Sequence, residues 1–207
     1  MTACNRTRRQ VLQTLAITGA WLAGRGSRAA RLSPNDKLNL ACVGAGGRGA
    51  ANLDAVKGEN IVALCDVDEQ RAGRTFDQYL RAQKFQDFRR MLDLLDRQID
   101  AVVVSTPDHT HAVAGVQAMQ MGKHCYCEKP LTHSVYEARV MAELAADKRL
   151  ATQLGTQRHC WDNFARVVQL IQSGTIGPVR QCHVWIGGNR GGGRRPAEMP
   201  PIPPHLN

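Results

Sequence analysis

Residues 44–49 read Gly-Ala-Gly-Gly-Arg-Gly, between an apolar run, "KLNLACVGAG" from Lys37 to Gly46, and a segment holding Ala50 and Leu53 that reads as a short helix. Gly44, Gly46 and Gly49 therefore fall in G-x-G-x-x-G spacing in the one context that gives it meaning, after a strand and at the opening of a helix. Alone, glycine-rich turns are common. Here the rest of the chain agrees. "NIVALCDVD" (Asn60 to Asp68) is a second strand run, and Phe88, Met91, Leu92 and Leu95 make one helical face. "IDAVVVSTP" (Ile99 to Pro107) is a near-continuous apolar strand of the kind buried on both sides in a parallel sheet. Ala112, Val116 and Met119 stripe the next helix, "KHCYCEKP" supplies another strand, and Val135, Ala138, Ala142 and Ala145 stripe the helix after it. "LATQLGT" (Leu150 to Thr156) reads as a sixth strand. Strand and helix alternating through six units predict a doubly wound, Rossmann-type α/β domain over residues 37–155.

In that fold the glycines have separate duties. Gly44 permits the tight turn, Gly46 lets backbone approach a pyrophosphate, and Gly49 lets helix and strand pack closely; Gly47 belongs to the same turn. The helix N-terminus offers N–H groups to phosphate charge, and Arg48 adds a cation near the phosphates or ribose. A carboxylate is expected about twenty residues on, at the end of the second strand, to accept the ribose hydroxyls, and Asp66 stands there. Its charge repels a 2′-phosphate, so the expected cofactor is NAD; NADP is the alternative, with Arg48 or Arg71 compensating. Ligands of such sheets lie beyond the carboxyl ends of the strands. That places Ser105, Thr106 and Pro107 along the cofactor crevice and makes His111, ahead of His109, a cofactor-side contact.

The stretch "GKHCYCEKPLTHS" (Gly122 to Ser134) poses a choice between a metal site, a redox pair and a strand end. Cys125 and Cys127 are two apart and share a strand face, and neither C-x-x-C nor H-x₃₋₅-H completes a zinc set, so no metal is expected. The strand ends at Glu128-Lys129-Pro130, where the crevice must be. A lysine there can hydrogen-bond a substrate hydroxyl and the nicotinamide ribose, and its charge favours the alkoxide that hydride removal requires. A cis Lys129-Pro130 bond is one way to aim that ammonium inward; the plainer reading of Lys129 is a surface lysine before a turn.

Charge and cysteine content narrow the partners. Of the formal net charge of +9, five units come from Arg6, Arg8, Arg9, Arg25 and Arg28 in an acid-free N-terminus. No basic stripe interleaved with aromatics is present, so nucleic acid is not an expected partner. "TRRQVLQ" (Thr7 to Gln13), the apolar segment Leu15 to Ala23 and the small residues of "GSRAA" look like a twin-arginine export signal over residues 1–30, followed by a linker, 31–36. A periplasmic or exported location follows, with a cytoplasmic one if residues 1–30 are only a basic terminus. No stable membrane span is expected after signal removal. The seven cysteines are an odd number and Cys42, Cys65, Cys125, Cys127 and Cys182 sit in apolar runs, which predicts small hydrophobes rather than a disulfide framework.

Beyond Thr156 the pattern changes. Phe164, Val167, Val168 and Ile171 form a helix face that stops at Gly174, and Cys182, Val184 and Ile186 alternate with polar or large residues as a strand would. Residues 156–186 thus read as the start of a second, truncated α/β domain, and 187–207 as a Gly/Pro-rich tail in which no core element forms.

Five motifs, "GAGGRG", "DVD", "VVVSTPDHTHA", "GKHCYCEKPLTHS" and "QLGTQRH…IQSGTIGPV", together resemble the glucose-fructose oxidoreductase and inositol dehydrogenase (Gfo/Idh/MocA) family over about Lys37 to Ile186. The resemblance implies a nicotinamide-dependent oxidoreductase acting on a sugar or cyclitol, homo-oligomeric at full length, with Glu128-Lys129-Pro130 as the family's E-K-P motif and Lys129 as its active-site lysine. Family members continue into an open-sheet domain that carries a D-x-x-x-H pair, and this sequence stops before it. Two other functions are expected as alternatives. One is a glycosidase of the same family that oxidises and re-reduces on bound NAD; the other is a fragment that binds a dinucleotide and catalyses nothing.

Overall fold

The computed structural model describes residues 37–185, 187, 198 and 201–206. The export-signal reading of residues 1–30, the linker, Ile186 and most of the tail lie outside the described residues.

The strands and helices read between Lys37 and Gln172 form in the order read, with α2 and β3 added where the sequence reading placed no element: β1 (Asn39–Val43), α1 (Arg48–Ala55), β2 (Asn60–Cys65), α2 (Glu69–Gln78), β3 (Gln83–Phe85), α3 (Phe88–Leu95), β4 (Ala101–Val104), α4 (His111–Gln120), β5 (His124–Glu128), α5 (Val135–Asp147), β6 (Thr152–Gly155) and α6 (Asp162–Gln172). The strand that periodicity does not locate is β3, because three residues are too few to show an alternation. All six strands join one sheet in the order β3-β2-β1-β4-β5-β6, and every pairing is parallel. The sheet is the expected doubly wound, Rossmann-type one.

Alternation along the strands divides the core into two layers. Ala41, Val43, Ala63, Cys65, Val102, Val104, Cys125 and Cys127 face Met91, Leu92 and Leu95 of α3, Ala114, Ala118 and Met119 of α4, and Met141 of α5. Cys42, Leu64 and Val103, one residue out of step, face Leu53 of α1 and Ala72 of α2. Burial on both faces is why these strands read as unbroken apolar runs. Side-chain caps start three of the helices: Asp68 accepts from the Arg71 amide, Asp87 from the Arg89 amide, and Ser134 forms a capping box with Glu137.

Two local expectations change. The buried stripe of α5 is centred on Met141 with Leu144 and Ala145 rather than on Val135 and Ala142, which are exposed. The reason is a helix contact: the Met141 Cε would stand 2.8 Å from a Cβ on Gly115 of α4, so the long thioether fills the space that the glycine opens. Residues 181–185 form no strand, and Val184 and Trp185 are 75% and 85% exposed. A strand needs a neighbour for its backbone groups, and among the described residues none flanks this stretch. Cys182 is therefore exposed, unlike the buried Cys42, Cys65, Cys125 and Cys127. Helix α6 forms as expected and gives way at Ser173 to Gly174 in the left-handed conformation (φ +72°), and its apolar face, Phe164, Val167 and Ile171, is exposed.

Candidate functional site: a crevice at the carboxyl ends of the strands

The register makes the strands end level with one another. Val43 pairs with Cys65 on one side and Val104 on the other, and Val104 pairs with Cys127. Beyond this rim the ladder gains one more bond at each central strand, Gly44 N–H to the Cys65 carbonyl and Ser105 N–H to the Val43 carbonyl, both 2.8 Å. The chains then splay into a crevice of about 560 Å³. Gly44, Gly46, Arg48, Asp66, Ser105, Thr106 and Pro107 line it, and so do Arg71, Phe88, His109 and Leu206.

The glycine loop is sterically obligatory. Gly44 has φ +85°, and a Cβ there would meet the Ser105 carbonyl carbon at 2.7 Å; a Cβ on Gly49 would lie 1.7 Å from the Gly44 oxygen. Gly46 and Gly47 lie under the Arg71 side chain, whose Cγ would be 2.7 Å from a Cβ on Gly46. Unlike α2, α3 and α5, helix α1 starts at Gly47 with no side-chain cap; the Gly49 N–H turns to the Gly46 carbonyl at 3.0 Å, and the other first-turn N–H groups are left for a ligand. Asp66 is bound into the same loop: Oδ2 accepts from the Gly46 N–H at 2.9 Å and Oδ1 from the Asp68 N–H at 3.0 Å. With one amide on each oxygen, each keeps a lone pair free for a hydroxyl.

Glu128, 4% exposed, collects donors that sequence reasoning missed. Its Oε1 accepts from Arg48 Nε at 3.1 Å, Asn52 Nδ2 at 3.0 Å, the Tyr126 hydroxyl at 3.1 Å and Gln157 Nε2. A Cβ on Gly155 would stand 2.7 Å from the Tyr126 hydroxyl and 2.9 Å from the Glu128 carboxyl carbon, so a glycine at the end of β6 makes room for this cluster. The only trace in the sequence is the i, i+4 spacing of Arg48 and Asn52 on α1. Burial pushes the Glu128 carboxyl up, but the Asn52 bond, the Arg48 charge and the Tyr126 and Gln157 bonds together outweigh it and hold the carboxyl below its ordinary value. A depressed folded-state value means stability that is present above the unfolded value of 4.5 and lost as pH falls through the lower, folded one. Between neutral pH and acid, Glu128→Gln is therefore expected to show a flatter fall in urea midpoint than wild type; parallel curves would remove Glu128 from the account.

Arg48 leans away from Asp66 toward Glu128, which leaves Arg71 as the arginine beside Gly46 and Gly47. His111 and Glu128 lie behind the crevice wall, whereas His109 is on its surface, the reverse of the sequence ranking of the two histidines. Lys129 is exposed at the end of β5, the Lys129–Pro130 bond is cis, and the ammonium makes no hydrogen bond or ion pair among the described residues. The thiols of Cys65, Cys125 and Cys127 are pushed by burial up to about 12, and that of Cys42 higher still, so they stay protonated and inert.

Among the described residues one buried side-chain polar atom is left over. Thr106 Oγ1 is buried at the crevice with no hydrogen-bond partner, and a group of this kind asks for a ligand. An uncapped helix behind three close-packed glycines, a carboxylate one strand away and this orphan hydroxyl fit a dinucleotide, and they define the class: a Rossmann-type dinucleotide-binding domain. Residues 38–156 match the GFO_IDH_MocA family, described as an oxidoreductase family with an NAD-binding Rossmann fold. The chain belongs to that family, and its cofactor is NAD.

Relatives agree. Inositol 2-dehydrogenase of Salmonella paratyphi B is 28% identical over 153 residues, 70% of this chain and 45% of the relative. Inositol 2-dehydrogenase of Rubrobacter xylanophilus is 33% identical over 158 residues, 73% and 44% of the two chains. Among solved structures, myo-inositol 2-dehydrogenase from Lactobacillus plantarum superposes with a TM-score of 0.62 at 24% identity, over 68% of this chain and 42% of that one. An oxidoreductase from Agrobacterium radiobacter, solved with NAD+, L-tartaric acid and magnesium, gives 0.61 at 23% identity over 69% and 42%, and at these identities the likeness is one of fold. The chain thus spans less than half the length of the curated relatives it matches.

Proposed function

We propose that this chain is the cofactor-binding part of an NAD-dependent dehydrogenase that oxidises a carbinol of a cyclitol or related sugar. The observation that carries the reading is the Asp66 carboxylate fixed to the glycine loop by the 2.9 Å bond from Gly46, beside a crevice with an orphaned Thr106 hydroxyl. In this reading the α1 terminus receives the pyrophosphate, Asp66 the adenosine ribose hydroxyls, and Thr106 a polar group of the cofactor. NAD supplies the hydride acceptor. Lys129 contributes an ammonium with no partner among the described residues, able to hold the substrate hydroxyl and to favour its alkoxide. The cyclitol assignment is supported by the relatives named inositol 2-dehydrogenase. Those names also favour a dehydrogenase over a family glycosidase.

The test is the near-ultraviolet absorbance of reduced nicotinamide with NAD and a panel of inositols and aldoses. Accumulation with a cyclitol, lowered about 10²- to 10⁴-fold in Lys129→Ala, is the expected result. Turnover of an aryl glycoside without net reduced cofactor would install the glycosidase reading. Tight NAD uptake with no turnover of any of these would leave a binding module.

A further inference from the structure

The geometry points to His111 as a positioning residue for Lys129, acting through the backbone carbonyls on either side of the crevice wall. His111 is 1% exposed at the first position of α4. Its Nδ1 lies 2.7 Å from the Pro130 carbonyl oxygen and its Nε2 2.8 Å from the Thr106 carbonyl oxygen. The ring thus spans the loop after β4 and the loop after β5. A second bridge runs beside it: Asn52 Nδ2 donates to Ser105 Oγ at 2.9 Å and to Glu128 Oε1 at 3.0 Å. Ser105 and Thr106 are neighbours in one loop, and Glu128 and Pro130 flank Lys129 in the other. The lysine backbone is therefore held on both sides while its side chain stays free.

The histidine arm has a chemical requirement. Carbonyl oxygens only accept, so the ring donates to one of them from its N–H and sets its other nitrogen against the second, the tautomer deciding which. No other side chain of this volume presents two ring nitrogens in opposite directions, one toward each loop. Glutamine donates only from its single amide nitrogen, and phenylalanine keeps the volume and donates nothing. Loss of the arm frees the Pro130 side of the Lys129 backbone, and a misplacement of about 1 Å at a positioned group costs on the order of 100-fold in rate.

This inference rests on the dehydrogenase reading, and the experiment separates the two. In the full chain labelled with ¹⁵N-histidine, the His111 ring is expected to show an N–H proton protected from exchange by its carbonyl partner, with or without NAD; a ring with no protected N–H overturns the clasp whatever the chain catalyses. His111→Phe is then compared with wild type and with Lys129→Ala. NAD affinity by calorimetry is expected to stay within about threefold and kcat to fall on the order of 10- to 100-fold. In the Lys129→Ala background the same change is expected to have little further effect, because the histidine acts through the lysine. Additive losses, or an unchanged kcat in a folded variant, would refute the positioning role. If His111→Phe does not fold, His111→Gln, which keeps one donor, is expected to retain an intermediate kcat, and full retention counts against the proposal. A wild-type chain that neither takes up NAD nor oxidises a polyol sinks the functional reading, and the ring spectrum still decides the clasp.

Discussion

Alanine at position 49 is expected to leave no protein that both folds and takes up NAD. Its methyl would stand 1.7 Å from the Gly44 oxygen and 2.8 Å from the Gly44 carbonyl carbon, and both are backbone atoms that no rotamer change can move. Gly44 cannot retreat, because its N–H is tied to the Cys65 carbonyl at 2.8 Å and the Ser105 backbone fills the space where its own Cβ would stand, 2.7 Å away. The loop has to open, and α1 has to leave β1. Losses of more than about 4 kcal/mol belong to clashes and strain of this kind, and they consume much of a typical domain stability of roughly 5–15 kcal/mol. Gly58, where an added Cβ would meet nothing within 4 Å, is the control: Gly58→Ala should unfold in urea within about 0.5 kcal/mol of wild type. A Gly49→Ala variant with wild-type melting and NAD uptake would mean that the loop is not built as described.

The second large effect is expected at Asp66. Asp66→Ala removes the acceptor for the ribose hydroxyls and also releases the Gly46 amide, so the ribose and phosphate ends of the site lose their shared support. Hydrogen bonds to a charged group are worth about 1.5–3 kcal/mol, which predicts NAD affinity lower by roughly 10- to 100-fold by calorimetry. NADP should suffer less, since the repulsion of its 2′-phosphate disappears and the Arg71 side chain remains beside Gly46 and Gly47. The ratio of the two affinities should therefore fall toward unity. An NAD affinity within twofold of wild type would show that Asp66 is only a loop residue.

What the sequence made legible follows from periodicity and local chemistry. The strands buried on both faces announced themselves as apolar runs because neither side has to meet water, and the alternation of Cys125 and Cys127 with Tyr126 was enough to place both thiols in the core. The glycine spacing was legible because Gly44 and Gly49 have no substitute at those contacts. Relations between distant segments were not legible. The convergence of Arg48, Asn52 and Gln157 on Glu128 joins residues 29 to 80 positions apart, and nothing local marks it. The α5 stripe was misplaced because Val135 looks more apolar than its surroundings, whereas Gly115 on the neighbouring helix decides which side chain goes inward. Ranking His111 ahead of His109 had no local signal to rest on, since a histidine at the first turn of a helix can face either way, and it is His109 that lines the crevice.

The order of strands in the sheet sets Asp66 beyond β2 and Lys129 beyond β5, with β1 and β4 between them. Three inter-strand steps of about 4.8 Å keep the two residues roughly 14 Å apart. Changes of coenzyme preference at one end and of chemistry at the other should thus combine without interference, so that a redesigner can adjust the two independently.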